Sequence, residues 1–182
     1  MKFNKRLWLM AGPLAIFIIL LDQLTKYWTL AHFKAPGAAE VELIPNIMYF
    51  VYVLNEGAAW GIMQGKMDML AVISFAVFIF MFFYADKFIE NENFLERKVT
   101  LGLLQGGIFG NFIDRANLWS RDPTGVIDFL SIQYKPKGWE FPAFNIADMA
   151  ICTAVGIYIL SSFIRGDQTK EDPPEDDVKV HE

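Results

Sequence analysis

Four long apolar stretches constrain this chain more than any other feature of its sequence. They cover about residues 8–33, 68–89, 98–118 and 144–164, and a helix needs about 20 apolar residues to cross the hydrocarbon core of a bilayer. Hydrophobic residues make up 54% of the 182-residue chain, and a soluble domain of this length has no need of such long apolar runs. The sequence therefore predicts an all-α integral membrane protein with four transmembrane helices.

The first stretch does not have the properties of a cleavable signal peptide. Its apolar part is too long for one, and it carries Asp22 and Lys26. We therefore predict a retained span. Residues 1–166 are expected to form one four-helix membrane domain, and the acidic segment 167–182 is expected to be a disordered tail.

The distribution of basic residues predicts the orientation in the membrane. Lysine and arginine concentrate beside the two termini and the short connection between the second and third stretches, at Lys2, Lys5, Arg6, Lys87, Arg97, Lys98, Arg165 and Lys170. Cytoplasmic loops carry such an excess, so both termini and the acidic tail are predicted to be cytoplasmic. The net charge of −5 adds little to this argument, and nothing in the composition suggests nucleic-acid binding.

This topology leaves two loops outside the cell, at about 34–67 and 119–143. The first contains Val41–Ile44 and 48–54, which are rich in β-branched and aromatic residues and predict strands of a small extracytoplasmic sheet. The chain has one cysteine, Cys152, and two histidines, His32 and His181. This inventory excludes an intramolecular disulfide and a Cys/His metal site, and it argues against catalysis that uses histidine.

Two polar groups precede the second stretch. Asp22 and Lys26 are spaced i, i+4, share a helix face and can neutralise one another, either as a structural ion pair or as substrate contacts. In both cases the face should point into the bundle. The second group, Asn55–Gly61, combines Asn55 with small residues such as Gly57, which permit close backbone approach. It is interpreted either as a simple turn or as part of a site.

The third group lies in the third stretch. Gly102, Gly106 and Gly110 recur every four residues, a pattern that allows close packing of membrane helices. Polar residues follow near the outer interface, at Asn111, Asp114 and Arg115. Arginine offers several donors to a carbonyl, phosphate or carboxylate group, although Asp114 is also placed to neutralise Arg115.

The fourth group contains the two most informative residues, Asp128 and Asp148, each beside strongly apolar sequence. A carboxylate at the edge of a hydrocarbon layer is a functional-site hypothesis by default. Two carboxylates at one site tend to share a proton and so can activate water. Asn145 and Asp148 also have the spacing of a helix cap, whereas Asp128 interrupts a strand-like segment. Convergence requires that segment to fold back over the bundle.

Five motifs in this order resemble the lipoprotein signal peptidases, the type II signal peptidases of bacteria. They are Asp22-Gln-x-x-Lys26, Asn55-x-Gly-Ala-Ala, Gly107-x-x-Gly-Asn111-x-x-Asp114-Arg115, Val126-Ile-Asp128-Phe and Phe144-Asn145-Ile-Ala-Asp148. The resemblance covers nearly all of the chain except the acidic tail. Trp60 stands where phenylalanine is common in the family, Met149 stands where a small hydroxyl residue is common, and the segment 116–125 is longer than usual.

The resemblance implies an aspartyl endopeptidase that removes signal peptides from diacylglyceryl-modified prolipoproteins, just before the lipidated cysteine. The catalytic dyad would be Asp128 and Asp148, with support from the other polar positions of the pattern, which are Asp22, Lys26, Asn55, Gly57, Asn111, Asp114, Arg115 and Asn145. It further implies inhibition by globomycin, an active site on the outer side of the inner membrane, and no metal or organic cofactor. A monomer is expected.

Other classes of membrane protein make different demands on the sequence. A transporter should place ionisable residues through both halves of the bundle, and the inner half here is nearly uncharged. A non-catalytic lipid-binding protein accounts for the glycines and aromatic residues but leaves Asp128 unexplained. A presenilin-like protease carries its aspartates within two spans, one preceded by Gly-x-Gly, and Asp128 has neither property.

Overall fold

The protein contains four helices and a small antiparallel sheet. The computed structural model describes residues 5–33, 35–37, 40–58, 62–88, 94–121 and 124–168. In chain order the elements are α1 (Lys5–His32), β1 (Val41–Ile44), β2 (Met48–Asn55), α2 (Met67–Phe88), α3 (Phe94–Arg115), β3 (Val126–Tyr134), a 3-10 turn (Lys135–Lys137), β4 (Trp139–Glu140) and α4 (Ile146–Gln168). Trp60 and the residues 169–182 of the predicted tail lie outside the described part.

Each predicted apolar stretch corresponds to one helix. Within the described residues, three segments are long and apolar enough to cross a membrane: Leu7–His32, Met67–Tyr84 and Ile146–Ile164. The helix α3 does not reach that level of hydropathy, since it carries charged residues near both ends. It packs against all three other helices, so most of its surface meets protein and does not have to be apolar.

The glycines of α3 allow α1 to approach closely. A Cβ atom at Gly106 would lie 2.7 Å from the Cβ of Ile18, and one at Gly110 would lie 2.8 Å from a carboxylate oxygen of Asp22. Gly102 is equally close to α1. The prediction that this stripe packs helices together is confirmed, and the approach at Gly110 brings Asp22 against the middle of the polar cluster described below.

The sheet is built from both loops that the sequence predicts to lie outside. Its strand order is β1-β2-β3-β4, with every neighbouring pair antiparallel. The strands predicted at 41–44 and 48–54 are confirmed. The pairing of β2 with β3 sets Val53 opposite Asp128 and Asn55 opposite Val126, so the end of the first loop lies beside the start of the second.

One isolated bridge connects the sheet to the last helix. The backbone N–H of Leu130 donates to the carbonyl oxygen of Phe144 at 2.9 Å, and the N–H of Phe144 donates back to Leu130 at 2.9 Å. The helix α4 starts two residues later. This bridge therefore fixes the entry of α4 against β3, which is the fold-back that convergence of the two aspartates requires.

Candidate active site

Asp128 and Asp148 meet at a single asparagine. Asp128 projects from β3, and Asp148 lies in the first turn of α4. The side-chain amide of Asn145 donates from Nδ2 to Asp128 Oδ1 at 2.7 Å. The same residue makes two hydrogen bonds with Asp148. The structure therefore brings together the three polar residues of the fourth predicted group.

The bonds between Asn145 and Asp148 form a reciprocal helix cap. Asn145 Oδ1 accepts from the backbone N–H of Asp148 at 2.9 Å, and Asp148 Oδ2 accepts from the backbone N–H of Asn145 at 3.2 Å. Such a cap satisfies two N–H groups that have no partner within the helix. The predicted capping role is confirmed, and it also fixes the direction of the Asp148 carboxyl group.

Asn111 on α3 holds the remaining oxygen of Asp148. Its Nδ2 donates to Asp148 Oδ1 at 2.8 Å, while its Oδ1 accepts from Asn145 Nδ2 at 3.1 Å. Both oxygens of Asp148 thus accept hydrogen bonds from N–H donors near a helix N-terminus. These bonds fix the position of the Asp148 carboxyl group beside the other polar residues of the site.

Asp128 is held from the sheet side by Asn55. Asn55 Nδ2 donates to Asp128 Oδ2 at 3.2 Å, and Asn55 Oδ1 accepts from the backbone N–H of Gly57 at 3.0 Å, which fixes the amide orientation. Asp128 is 2% exposed. Burial, and after it the neighbouring charge of Asp148, raises the pKa of Asp128 to about 7.

A buried charge cluster lies next to these groups. Lys26 Nζ lies 2.7 Å from a carboxylate oxygen of Asp22 and 2.7 Å from one of Asp114, and the three side chains are at most 1% exposed. Asp22 also accepts from the backbone N–H of Ala147 at 3.0 Å and so caps α4. Of the two interpretations of Asp22 and Lys26, this burial favours the structural ion pair.

Arg115 has other partners than the sequence suggested. Asp114 forms its ion pairs with Lys26 and Arg121, and its charge acts on Arg115 only alongside the charges of Asp148 and Asp128. Arg115 extends toward α2 and donates to Ser74 Oγ at 3.2 Å. Its Nε is buried without a hydrogen-bond partner among the described residues.

Sequence reasoning missed Arg121 as a member of this cluster. Its guanidinium group pairs with Asp114. The sequence alone did not distinguish Arg121 from the other basic residues of the two predicted outer loops, which are Lys34, Lys66, Lys135 and Lys137. The unusual length of the 116–125 segment was the signal that this part of the chain has a role of its own. Met149 is 45% exposed, and Trp60 lies outside the described residues.

The described residues offer no site for a metal ion. They contain no group of three or more histidine, cysteine, aspartate or glutamate side chains placed to hold one. The polar groups gathered at the site are two carboxyl groups, three asparagine amides, Lys26 and Arg115.

Comparison with known proteins identifies the family. The model of the Peptidase_A8 family, described as signal peptidase (SPase) II, matches residues 14–164. The chain belongs to the signal peptidase II family. Membership makes it a protease with membrane-spanning helices and implies that its substrates are lipoproteins.

Two solved structures support the assignment of this signal peptidase II chain. One, described as a bacterial membrane enzyme studied by the in meso method at 2.3 Å resolution, has 32% sequence identity and a TM-score of 0.70, covering 90% of this chain and 93% of that chain. A second, described in the same words at 1.9 Å resolution, has 34% identity and a TM-score of 0.65, covering 83% and 90%.

Proposed function

We propose that the protein is an aspartyl endopeptidase that removes the signal peptide from diacylglyceryl-modified prolipoproteins, just before the lipidated cysteine. Asp128 and Asp148 form the catalytic dyad. The observation that carries this proposal is the double contact of Asn145, which holds a carboxyl group from β3 and one from α4 at the same place. A helix cap alone would require only the contact of Asn145 with Asp148, and not the contact with Asp128.

The two carboxyl groups have different surroundings and are assigned different roles. Asp148 is assigned as the base, because its partner Asp128 is the carboxyl group that keeps a proton. Asp128 acts as the acid, because its pKa of about 7 leaves it protonated in a large fraction of molecules at neutral pH.

Hydrolysis then follows ordinary acid–base chemistry. Asp148 removes a proton from water as the oxygen attacks the scissile carbonyl carbon, and Asp128 gives its proton to the carbonyl oxygen. The C–N bond breaks as Asp148 passes its proton to the leaving amine, and Asp128 recovers its own from the tetrahedral intermediate. Arg115, whose Nε is buried without a hydrogen-bond partner among the described residues, is assigned the stabilisation of charge on the substrate oxygen.

The proposed topology has four membrane spans with both termini in the cytoplasm. The helix α3 is the span to be added to the three that hydropathy identifies. It crosses the bilayer at the centre of the bundle, where the other helices shield its polar residues. The sheet, the dyad and the charge cluster then lie at the outer face of the cytoplasmic membrane. The acyl chains of the substrate remain in the bilayer, and each buried methylene contributes about 0.8 kcal/mol to anchoring it there.

In the test, the purified protein in detergent is incubated with two forms of one prolipoprotein, and their cleavage is compared. We expect cleavage of the diacylglyceryl-modified form, strong discrimination against the unmodified form, and inhibition by globomycin. Equal cleavage of both forms would contradict the proposed substrate. The protein is expected to act as a monomer without an added cofactor.

Variants of the dyad test the mechanism in the same assay. Asp128→Asn and Asp148→Asn should each lower turnover by at least about 10²–10⁴-fold, since each removes one proton-transfer group. Asp68→Asn is the matched control, because Asp68 also lies in the first turn of a helix but is exposed. Near-normal turnover in either dyad variant would remove that residue from the mechanism.

A further inference from the structure

The chain forms a well-defined loop directly after α3. Asn117 Oδ1 accepts from the backbone N–H of Arg121 at 2.7 Å, and Asn117 Nδ2 donates to the carbonyl oxygen of Arg121 at 3.1 Å. Asn117 and Ser120 have φ angles of 46° and 50°, in the left-handed region, which turns the backbone sharply. Residues 117–121, which form the α3 loop, are thus closed by two hydrogen bonds between Asn117 and Arg121.

The α3 loop reaches the buried charge cluster directly at Asp114 and indirectly, through Gln23, at Asp22. The guanidinium group of Arg121 pairs with Asp114 Oδ1. Trp119 Nε1 donates to Gln23 Oε1 at 2.8 Å, and Gln23 Nε2 donates in turn to Asp22 Oδ2 at 3.1 Å. Each carboxylate of the cluster is therefore reached from the loop.

Arg121 completes the charge balance of the cluster. Asp22, Asp114 and Lys26 together leave one negative charge among side chains that are at most 1% exposed. An unbalanced buried charge is costly, and the Arg121 side chain, which is 16% exposed, supplies the missing positive charge from the edge of the cluster.

Lys26 connects this balance to the dyad. Besides its two carboxylate partners, Lys26 Nζ donates to Asn111 Oδ1 at 2.9 Å. That bond keeps the carbonyl side of the Asn111 amide toward Lys26 and the NH₂ side toward Asp148, to which it donates at 2.8 Å. If Asp114 lost its second cation, it would draw Lys26 more strongly and weaken one of the two hydrogen bonds that orient the Asn111 oxygen, the other coming from Asn145.

We propose that Arg121 is a positioning residue for catalysis, which acts through Asp114, Lys26 and Asn111 to orient Asp148. This inference rests on the proposed function, because it assumes that Asp148 takes part in the reaction. It assigns a role to a loop that is longer than the family pattern.

The first test measures steady-state cleavage of the diacylglyceryl-modified prolipoprotein by Arg121→Met and Arg121→Lys. We expect Arg121→Met to lower kcat by about tenfold to a hundredfold, the scale for misplacing a catalytic group, and to change KM less than twofold. Arg121→Lys should recover most of the loss, because it restores the charge. Lys135→Met is the matched control, since it breaks an exposed pair with Glu40 in the same outer layer.

A double variant separates charge balance from simple loss of structure. Asp114→Asn combined with Arg121→Met leaves Asp22 and Lys26 as a neutral pair, so it should be more active than Arg121→Met alone. Losses that multiply in the double variant would overturn the proposal, as would a normal kcat in Arg121→Met or an equal loss in Lys135→Met. Failure of the unaltered protein to cleave the substrate would instead contradict the proposed function.

Discussion

The side chain of Asn145 links the first turn of α4 to the position of Asp128. A serine at this position is an equally good cap by general preference, yet the single oxygen of its shorter side chain would have to make both the cap and the contact with Asp128. The asparagine amide supplies both, since its oxygen caps α4 and its nitrogen holds Asp128. Stability and activity are therefore coupled through one residue.

The pKa of Asp128 sets a pH dependence for activity. Burial and the nearby charge of Asp148 raise that pKa to about 7, so the proposed acid loses its proton as the pH rises through about 7. We expect kcat for the lipidated precursor to fall over that range. A kcat that instead rises steadily from pH 6 to pH 8 would contradict the assignment of Asp128 as the acid.

The same pKa shift has a consequence for stability with a defined sign. The folded-state pKa lies above the ordinary value of 3.8, so the folded protein binds this proton more tightly than the unfolded chain. The contribution of Asp128 to the free energy of unfolding therefore declines as the pH rises from about 4 to about 7. Melting of Asp128→Asn in detergent should lack this decline.

Lys26 and Arg115 should differ in what they contribute. Lys26→Met leaves two carboxylates facing each other in a buried cluster, and breaking a buried pair costs about 3–5 kcal/mol. Arg115→Met leaves Asp114 with both of its cations and removes one bond to Ser74. We expect a large loss of stability only for Lys26→Met, and a loss of turnover for both.

Melting temperature and cleavage rate, measured side by side in detergent, test this difference. If Arg115→Met melted as early as Lys26→Met, Arg115 would belong to the scaffold. If it remained both stable and fully active, its proposed role at the substrate oxygen would be wrong.

At the scale of elements, the sequence predicted most helices and strands because each has a local signature. The apolar stretches gave all four helices, and the β-branched runs gave β1 and β2. The position of β3 between β2 and β4 has no such signature, since it depends on pairing across more than seventy residues, as between Val53 and Asp128. The sequence alone therefore could not show whether Asp128 and Asp148 come together. In the structure, the contacts of Asn145 with both residues show that they do.

The candidate site shows the same division between local and distant contacts. The i, i+4 spacing predicts the Asp22–Lys26 pair, and the cap spacing predicts the contact of Asn145 with Asp148. The sharing of Lys26 with Asp114, and of Asp114 with Arg121, follows from the packing of α1 on α3 and from the α3 loop. The positive charge of Arg115 and Arg121 alone does not indicate which of the two pairs with Asp114.

Close packing of α3 on α4 yields an element-scale prediction. A Cβ atom at Gly107 would lie 2.5 Å from the carbonyl oxygen of Ala147 and 2.7 Å from Ile151 Cγ1. Gly107→Ala should therefore displace the first turns of α4, which carry Asp148, and lower both melting temperature and turnover. Gly156→Ala on α4 is the control, because its Cβ would meet nothing within 4 Å; equal behaviour of the two variants would contradict this account.

At the scale of the whole molecule, the outer surface of the bundle matches a lipid environment. Large apolar side chains are exposed on the helices, among them Leu9 at 72%, Val72 at 69% and Phe163 at 75%. The buried charges instead collect where α1, α3 and α4 meet beside the sheet. This separation is what a bilayer solvent requires, since ionisable groups then face protein.

Cysteine labelling tests the proposed orientation. In a Cys152→Ala background, since Cys152 is the only cysteine of the chain, Ser120→Cys should react with a membrane-impermeant maleimide added to intact spheroplasts. Ser120 lies in the α3 loop and is exposed, so access is not limited by burial. Reaction only after the cytoplasmic face is opened would reverse the topology and move the site inside.

The contact of Asp22 with the backbone of Ala147 joins positions 125 residues apart, and this has a consequence for biosynthesis. The first helix inserts with a carboxylate whose partners on α3 and α4 have not yet been made. Only when the ribosome has delivered the last helix can Asp22 cap it and Asn145 bring the two aspartates together. A nascent chain of this protease should therefore be inert until insertion of the last helix is complete.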